Sequence, residues 1–117
     1  MIQLDYKSGV PIYDQLINGI IRLKVLGVLK PNDSLPSVRQ LATKLSINPN
    51  TVQRAYKSLE EKGVIYSVTG KGSFISDDNS AADNIKQLAL AQFKKAVKEA
   101  KEKGITNSEL LEIIEKL

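Results

Sequence analysis

The sequence of 117 residues contains no cysteine, no histidine and no tryptophan, and aromatic residues make up only 5% of it. Without cysteine, disulfide bonds and thiolate metal sites are excluded. Without histidine, the most common general base and the most common metal ligand are also missing. A small hydrolase would need a nucleophile–base pair, and none can be named. We therefore predict that the protein is not an enzyme and has no catalytic residues, no metal and no cofactor.

Long apolar stretches are also missing. No segment approaches the roughly 20 consecutive apolar residues needed to span a bilayer. The first residues, MIQLD, lack the basic start and apolar core of a signal peptide. We expect a cytoplasmic protein without a membrane partner. Its 42% apolar and 26% charged residues suit one small domain with a short appendage.

Positive charge is concentrated in the N-terminal part. Residues 1–76 hold ten cations against five anions, whereas residues 77–117 hold seven cations against eight anions. The excess of +5 in the first part suits binding to a polyanion, although ordinary surface charge would give the same count.

Three helix starts can be identified in the first half of the chain. They are Pro11 at an expected first helical position, Ser37 in a capping box with Gln40, and Asn48 followed by Pro49. Gly27 and Gly63 end the first and third of these helices. The short second helix and longer third helix, joined by a tight turn, predict a helix-turn-helix.

After Gly63 the apolar period changes to two residues. Residues 64–68 predict a strand, residues 69–72 (TGKG) a hairpin turn and residues 73–75 the returning strand. A hairpin is unstable alone, and residues 34–35 are available as a very short third strand. The predicted fold is mainly α with a small β-hairpin wing: a winged helix-turn-helix over residues 1–76.

Residues 77–117 form a predicted second domain of two helices. Ser80 with Asp83 is expected to cap the first, and Thr106 with Glu109 the second. Apolar side chains recur on one side of each helix, and so short a tail cannot cover them itself. We therefore predict a dimerisation element. Its predicted contact residues are Ile85, Leu88, Phe93, Val97, Leu110, Leu111, Ile114 and Leu117.

The outward face of the third helix is polar and cationic, as required of a helix that enters the major groove of DNA. Asn and Gln can pair with adenine and Arg with guanine, whereas a phosphate can lie at a helix N-terminus such as that at Ser37. The alternatives are an ordinary solvated face, an ion pair of Arg39 with Asp33, and a purely capping Ser37. The predicted DNA-binding residues are Ser37, Arg39, Asn48, Asn50, Thr51, Gln53, Arg54, Lys57, Gly70 and Lys71.

These segments together resemble the GntR family of bacterial regulators. The resemblance covers roughly residues 10–76 and rests on an ordered set of motifs. They are PIYDQL at 11–16, LPSVRQLA at 35–42, NPNTV at 48–52, AY at 55–56 and GKGSFI at 70–75. It implies DNA contacts from Arg39, from the first turn of the third helix and from the wing glycine Gly70.

Two features refine the resemblance. Some members have a basic residue where Pro49 stands, so base reading here is expected from Arg39, Asn50, Gln53 or Arg54, in no fixed order. The short helical tail is similar to the YtrA-like branch, which implies a homodimer on a pseudo-palindromic operator and suggests a transporter operon as the target.

The alternative class of function is a module that binds another protein. A protein-interaction module on a winged-helix scaffold would need apolar anchors on the third helix, and its outward face is polar instead. No residue indicates a small-molecule effector, although a pocket between two protomers could be lined by Phe93 or Val97.

Overall fold

The computed structural model describes residues 2–117, and in that range it contains five α-helices and one antiparallel hairpin. The elements are α1 (Ile12–Val25), α2 (Val38–Leu45), α3 (Pro49–Glu61), β1 (Ile65–Val68), β2 (Gly72–Ile75), α4 (Ser80–Glu102) and α5 (Asn107–Lys116). The predicted fold class, mainly α with a small β-hairpin wing, is confirmed.

One apolar core holds the helix-turn-helix and the wing together. Helix α3 packs against both α1 and α2, and its buried stripe is the predicted one. Leu16 and Ile20 of α1, Leu59 of α3 and Ile75 of β2 are almost completely buried in this core. Burying one such side chain contributes about 1.5–3 kcal/mol, so α3 is held in a fixed position.

Local capping fixes where the helices begin. The Ser37 hydroxyl accepts a hydrogen bond from the Gln40 N–H (3.1 Å), and the Gln40 side chain accepts one from the Ser37 N–H (2.9 Å). Asn48 caps α3 through the Asn50 N–H, and Thr106 with Glu109 forms the capping box of α5. These three predictions are confirmed.

Two predicted helix starts are wrong in detail. Pro11 is the residue before α1 rather than its first helical residue. Ser80 lies inside α4 and does not cap it with Asp83; the Asp78 carboxylate accepts hydrogen bonds from both the N–H and the hydroxyl of Ser80. Because Asp78 precedes the helix, its carboxylate can reach the free N–H groups of the first turn.

The wing is a tight hairpin supported by a neighbouring segment. Val68 pairs with Gly72, so the connection is the three residues 69–71, and Gly72 belongs to β2 instead of the predicted turn. Gly70 has φ of 78°, a conformation that glycine adopts without steric cost. The expected third strand is reduced to a bridge between Ser34 and Phe74, next to a Leu35 N–H bond to the Ser73 carbonyl (2.9 Å).

A buried lysine joins α1 to the segment that precedes α4. The Lys24 side chain is 8% exposed, and its ammonium donates hydrogen bonds to the Ser76 hydroxyl and the Asp78 carbonyl. Burial lowers the pKa of Lys24, while the nearby Asp78 and Asp77 carboxylates partly oppose that change. No local pattern marks this lysine as buried, because its partners lie more than 50 positions away in the chain.

The chain divides into two compact units, one ending at Asp83 and the other spanning Asn84–Leu117. This division falls within α4, whereas the predicted domain boundary is between residues 76 and 77. Ala82 is buried, and Ala81 packs against the core of the first unit, so the start of α4 belongs to that unit. Among residues 2–117, no helix is both long and apolar enough to cross a membrane.

Candidate nucleic-acid interface

Helix α3 has one buried side and one exposed side. Its buried residues are Val52, Ala55, Tyr56 and Leu59. Asn50, Gln53, Arg54 and Lys57 are exposed, and Thr51 is half-buried at the edge between the two sides. The outward side chains supply amide, guanidinium and ammonium groups and no large apolar group, which suits contact with base edges and phosphates.

The structure brings the exposed side of α3 next to the wing. A groove of about 410 Å³ lies between them, lined from α3 by Gln53, Lys57 and Glu60 and from the wing by Gly70 and Lys71. The two cations outnumber the one carboxylate, so the groove is net positive. Four of the predicted DNA-binding residues therefore share one surface.

Further hydroxyl groups lie in this groove, and sequence reasoning did not select them. Ser67 and Ser73 face each other across the two strands, with their hydroxyl oxygens 3.2 Å apart, and Thr69 is in the connecting loop. Alternation along the strands could have identified Ser67 and Ser73 as neighbours on one face. Hydroxyl groups can donate to phosphate oxygens, so this face of the wing is chemically suited to the DNA backbone.

Arg39 and Ser37 lie at the start of α2, and both are exposed. Within residues 2–117 the single salt bridge joins Lys116 to Glu112. The ion pair of Arg39 with Asp33, considered as an alternative, is therefore not formed. Asp33 instead accepts a hydrogen bond from the Lys30 N–H (2.8 Å). Arg39 is left exposed for an anionic partner.

Tyr56 connects α3 to the segment that leads into α2. Its hydroxyl donates a hydrogen bond to the Pro36 carbonyl at 2.7 Å. Burial raises the pKa of Tyr56 to about 12. The bond ties α3 to Pro36, which lies two residues before the start of α2 at Val38, and so helps to fix the helix that carries Arg39.

Arg54 is placed differently from the other outward residues of α3. Its guanidinium carbon lies 4.8 Å from the ring centroid of Tyr13, over the face of the ring. Arg54 and Tyr13 line a separate depression with Lys57, Ser58 and Glu61, on the side of α3 next to α1. Sequence reasoning placed Arg54 with the other DNA-contact residues and assigned no role to Tyr13.

The second unit presents uncovered apolar side chains. Phe93 is 50% exposed, Ile114 50% and Leu117 97%, although each is large and apolar. Of the predicted dimerisation residues, Val97 and Leu110 are half-buried and the other six are exposed. An open cleft of about 310 Å³ lies between α4 and α5. It is lined by five of these eight residues together with Lys101 and Asn107. The five are Phe93, Val97, Leu110, Leu111 and Ile114.

A helix-turn-helix followed by a hairpin, with a polar exposed helix beside a cationic wing, defines the winged helix class of DNA-binding proteins. Residues 11–75 match the family described as bacterial regulatory proteins, gntR family. The chain belongs to the GntR family and is a DNA-binding transcription regulator.

Individual relatives agree with this assignment. The chain is 39% identical over 119 residues to the HTH-type transcriptional repressor YtrA of Bacillus subtilis (strain 168), covering 100% of this chain and 92% of that protein. A GntR family transcriptional regulator from Listeria monocytogenes matches the structure with a TM-score of 0.73 and 34% identity, covering 96% of this chain and 99% of that one. The DNA-binding domain of AraR in complex with operator ORR3 matches with a TM-score of 0.55 and 26% identity, covering 63% of this chain and 89% of that one.

The predicted resemblance to the GntR family and to its YtrA-like branch is confirmed, as is the class of transcription regulator in place of an enzyme. The individual DNA contacts and the dimer contacts stay predictions.

Proposed function

We propose that the chain is a homodimeric transcription repressor that binds a pseudo-palindromic operator. Residues 1–76 supply the DNA-binding domain and residues 77–117 the dimerisation element. The observation that carries the proposal is the uncovered apolar surface of α4 and α5 in a chain whose α3 and wing form a polar, net positive groove.

The proposed DNA contacts follow from the two sides of the groove. Gln53 and Lys57 project from the helix that enters the major groove, and Lys71 and Gly70 from the wing tip. Base edges are read by the amide of Gln53, whereas the ammonium groups of Lys57 and Lys71 are suited to phosphates. Arg39, Asn48, Asn50, Thr51 and the hydroxyl of Ser37 extend the same interface along the chain.

The proposed dimer follows from the apolar surface of the second unit. Six of its eight predicted contact residues are exposed, and large contiguous apolar patches are typical of interaction sites. A two-fold axis would pair each surface with its copy and present two α3 helices to two half-sites. The cleft lined by Phe93, Val97 and Leu111 would then be filled by side chains of the second copy.

The proposed direction of regulation is repression. A dimer bound to its operator can block polymerase simply by occupying the site, and YtrA of Bacillus subtilis is named as a repressor. A transporter operon as the target and action in the cytoplasm are parts of this proposal, and no residue indicates a small-molecule effector.

Selection of bound duplexes from a random DNA pool, followed by sequencing, tests the proposal. We expect an enriched inverted repeat with half-sites about one helical turn, or 10–10.5 bp, apart. The logarithm of the affinity should fall steeply with the logarithm of the salt concentration. Binding at low salt without any enriched sequence would contradict the operator proposal, and indifference to every duplex would favour the protein-interaction module.

A further inference from the structure

Two neighbouring residues of α3, Gln53 and Arg54, point to different sides of the helix. Successive helical residues are about 100° apart around the axis, so Gln53 and Arg54 cannot face the same surface. Gln53 lines the groove next to the wing, whereas Arg54 lines the depression next to α1. Lys57 borders both surfaces.

Arg54 is held by an aromatic ring and not by an acid. Its guanidinium lies over the face of Tyr13, and none of the side-chain hydrogen bonds or the salt bridge within residues 2–117 involves Arg54. Glu61 lines the same depression without pairing with it. Stacking leaves the N–H groups at the edge of the guanidinium free to donate in their own plane.

The position of these donors, on the side of α3 next to α1, points to a phosphate as their partner. A recognition helix in the major groove has a phosphate backbone on each side of it. The wing with Lys71 is on one side of α3, and the depression with Arg54 and Tyr13 is on the side next to α1. A guanidinium can donate two parallel hydrogen bonds to one phosphate. On this second side of α3 the phosphate would belong to the DNA strand opposite the wing.

We propose that Tyr13 is a positioning residue that holds Arg54 for contact with a phosphate of the DNA strand opposite the wing. This inference rests on the proposed interface, in which α3 enters the major groove. It assigns to Arg54 a role that carries no sequence information, and leaves base reading to residues on the wing side and at the start of α3.

A double-mutant cycle on the full chain tests the coupling. Arg54→Ala should lower affinity for the selected duplex and for a scrambled duplex in parallel, and reduce the salt slope by about one per half-site. Tyr13→Leu should weaken binding about two- to fivefold per half-site, the range of one cation–π contact at an exposed site. Tyr13→Phe is the matched control, because it keeps the ring face, and it should bind like the parent chain. In the Arg54→Ala background, Tyr13→Leu should have no further effect.

The outcomes separate this inference from the proposed function. An equal loss from Tyr13→Leu with and without Arg54, at an unchanged thermal unfolding midpoint, would show that Tyr13 does not act through Arg54. If Gln53→Ala and Lys57→Ala weaken binding but Arg54→Ala does not, the phosphate contact is wrong and the interface stands. If the parent chain selects no inverted repeat, the proposed function itself fails.

Discussion

Helices α3 and α5 are both amphipathic, but the apolar side of α3 is buried whereas that of α5 is exposed. In α3 every residue of the apolar stripe is buried, and Leu59 is completely inaccessible. In α5 none of the residues is buried, and Leu111, Ile113 and Ile114 are each at least half exposed. The same sequence pattern therefore serves a core in one region and a surface in the other. The difference is whether other elements of the chain cover the apolar side, as α1, α2 and β1 do for α3.

The largest expected effect is on the uncovered surface. Ile114→Asp places a charge in the proposed dimer contact and should convert the dimer to monomer. Binding to the full operator should fall about 10²–10⁴-fold because the two half-sites are no longer linked. Sedimentation equilibrium and operator titration measure the two effects. Glu115→Gln, a substitution at an exposed position of the same helix, is the control. If the Ile114→Asp variant stays dimeric, α5 is not part of the dimer contact.

Substitutions on the buried apolar side of α3 should instead lower the stability of the fold itself. Leu59→Ala opens a cavity in a core position that is 0% exposed and should lower the free energy of unfolding by about 2–5 kcal/mol. The loss should be the same at every protein concentration. Leu111→Ala should instead lower stability in a concentration-dependent way, since it acts on association. Urea unfolding of both variants at two protein concentrations measures this difference. An effect of Leu111→Ala that does not depend on concentration would contradict the proposed dimer.

A smaller effect is expected from Arg39, the proposed DNA-contacting cation at the start of α2. Arg39→Ala should weaken operator binding by about 1–3 kcal/mol and leave the dimer intact, because Arg39 is exposed and has no salt-bridge partner within residues 2–117. Lys103→Ala, which removes the same charge from the second unit, is the control. If both variants lose affinity equally, only general charge matters at Arg39.

The smallest effect concerns the Tyr56 hydroxyl. Tyr56→Phe removes its bond to the Pro36 carbonyl and should cost about 1 kcal/mol at neutral pH. Burial raises the Tyr56 pKa from 10.0 to about 12, so the folded state holds the proton more tightly than the unfolded state. This contribution to stability is complete below pH 10.0 and is lost as the pH rises toward about 12. Between these pH values the free energy of unfolding should decline more steeply for the parent chain than for Tyr56→Phe. Parallel curves for the two proteins would contradict this prediction.

Local signals predicted much of the fold. The capping box of Ser37 with Gln40 and the cap at Asn48 depend on residues within three positions of each other, and the structure has both. The predicted cap of α4 was wrong because Ser80 is itself the first helical residue, and its N–H and hydroxyl both donate to the Asp78 carboxylate. The earlier carboxylate takes the role of cap.

The candidate site was predicted as a set of residue types, not as an arrangement. The outward polar positions of α3 follow from the helical period, but the period does not say which of them faces the wing. The separation of Gln53 from Arg54 depends on where the wing and α1 lie relative to α3. The residues that hold the arrangement, Tyr13 and Tyr56, carried no local signal of that role.

The sequence by itself determined the helices, the hairpin and the polar and apolar sides of each, because caps, turns and periods are interactions between near neighbours. Only the tertiary structure decided which apolar sides are covered and which cations meet in one groove. Lys24 illustrates the difference: its ammonium is buried against Ser76 and Asp78, which the chain brings to it only after folding. Contacts between distant residues depend on the packing of whole elements, and no local pattern records them.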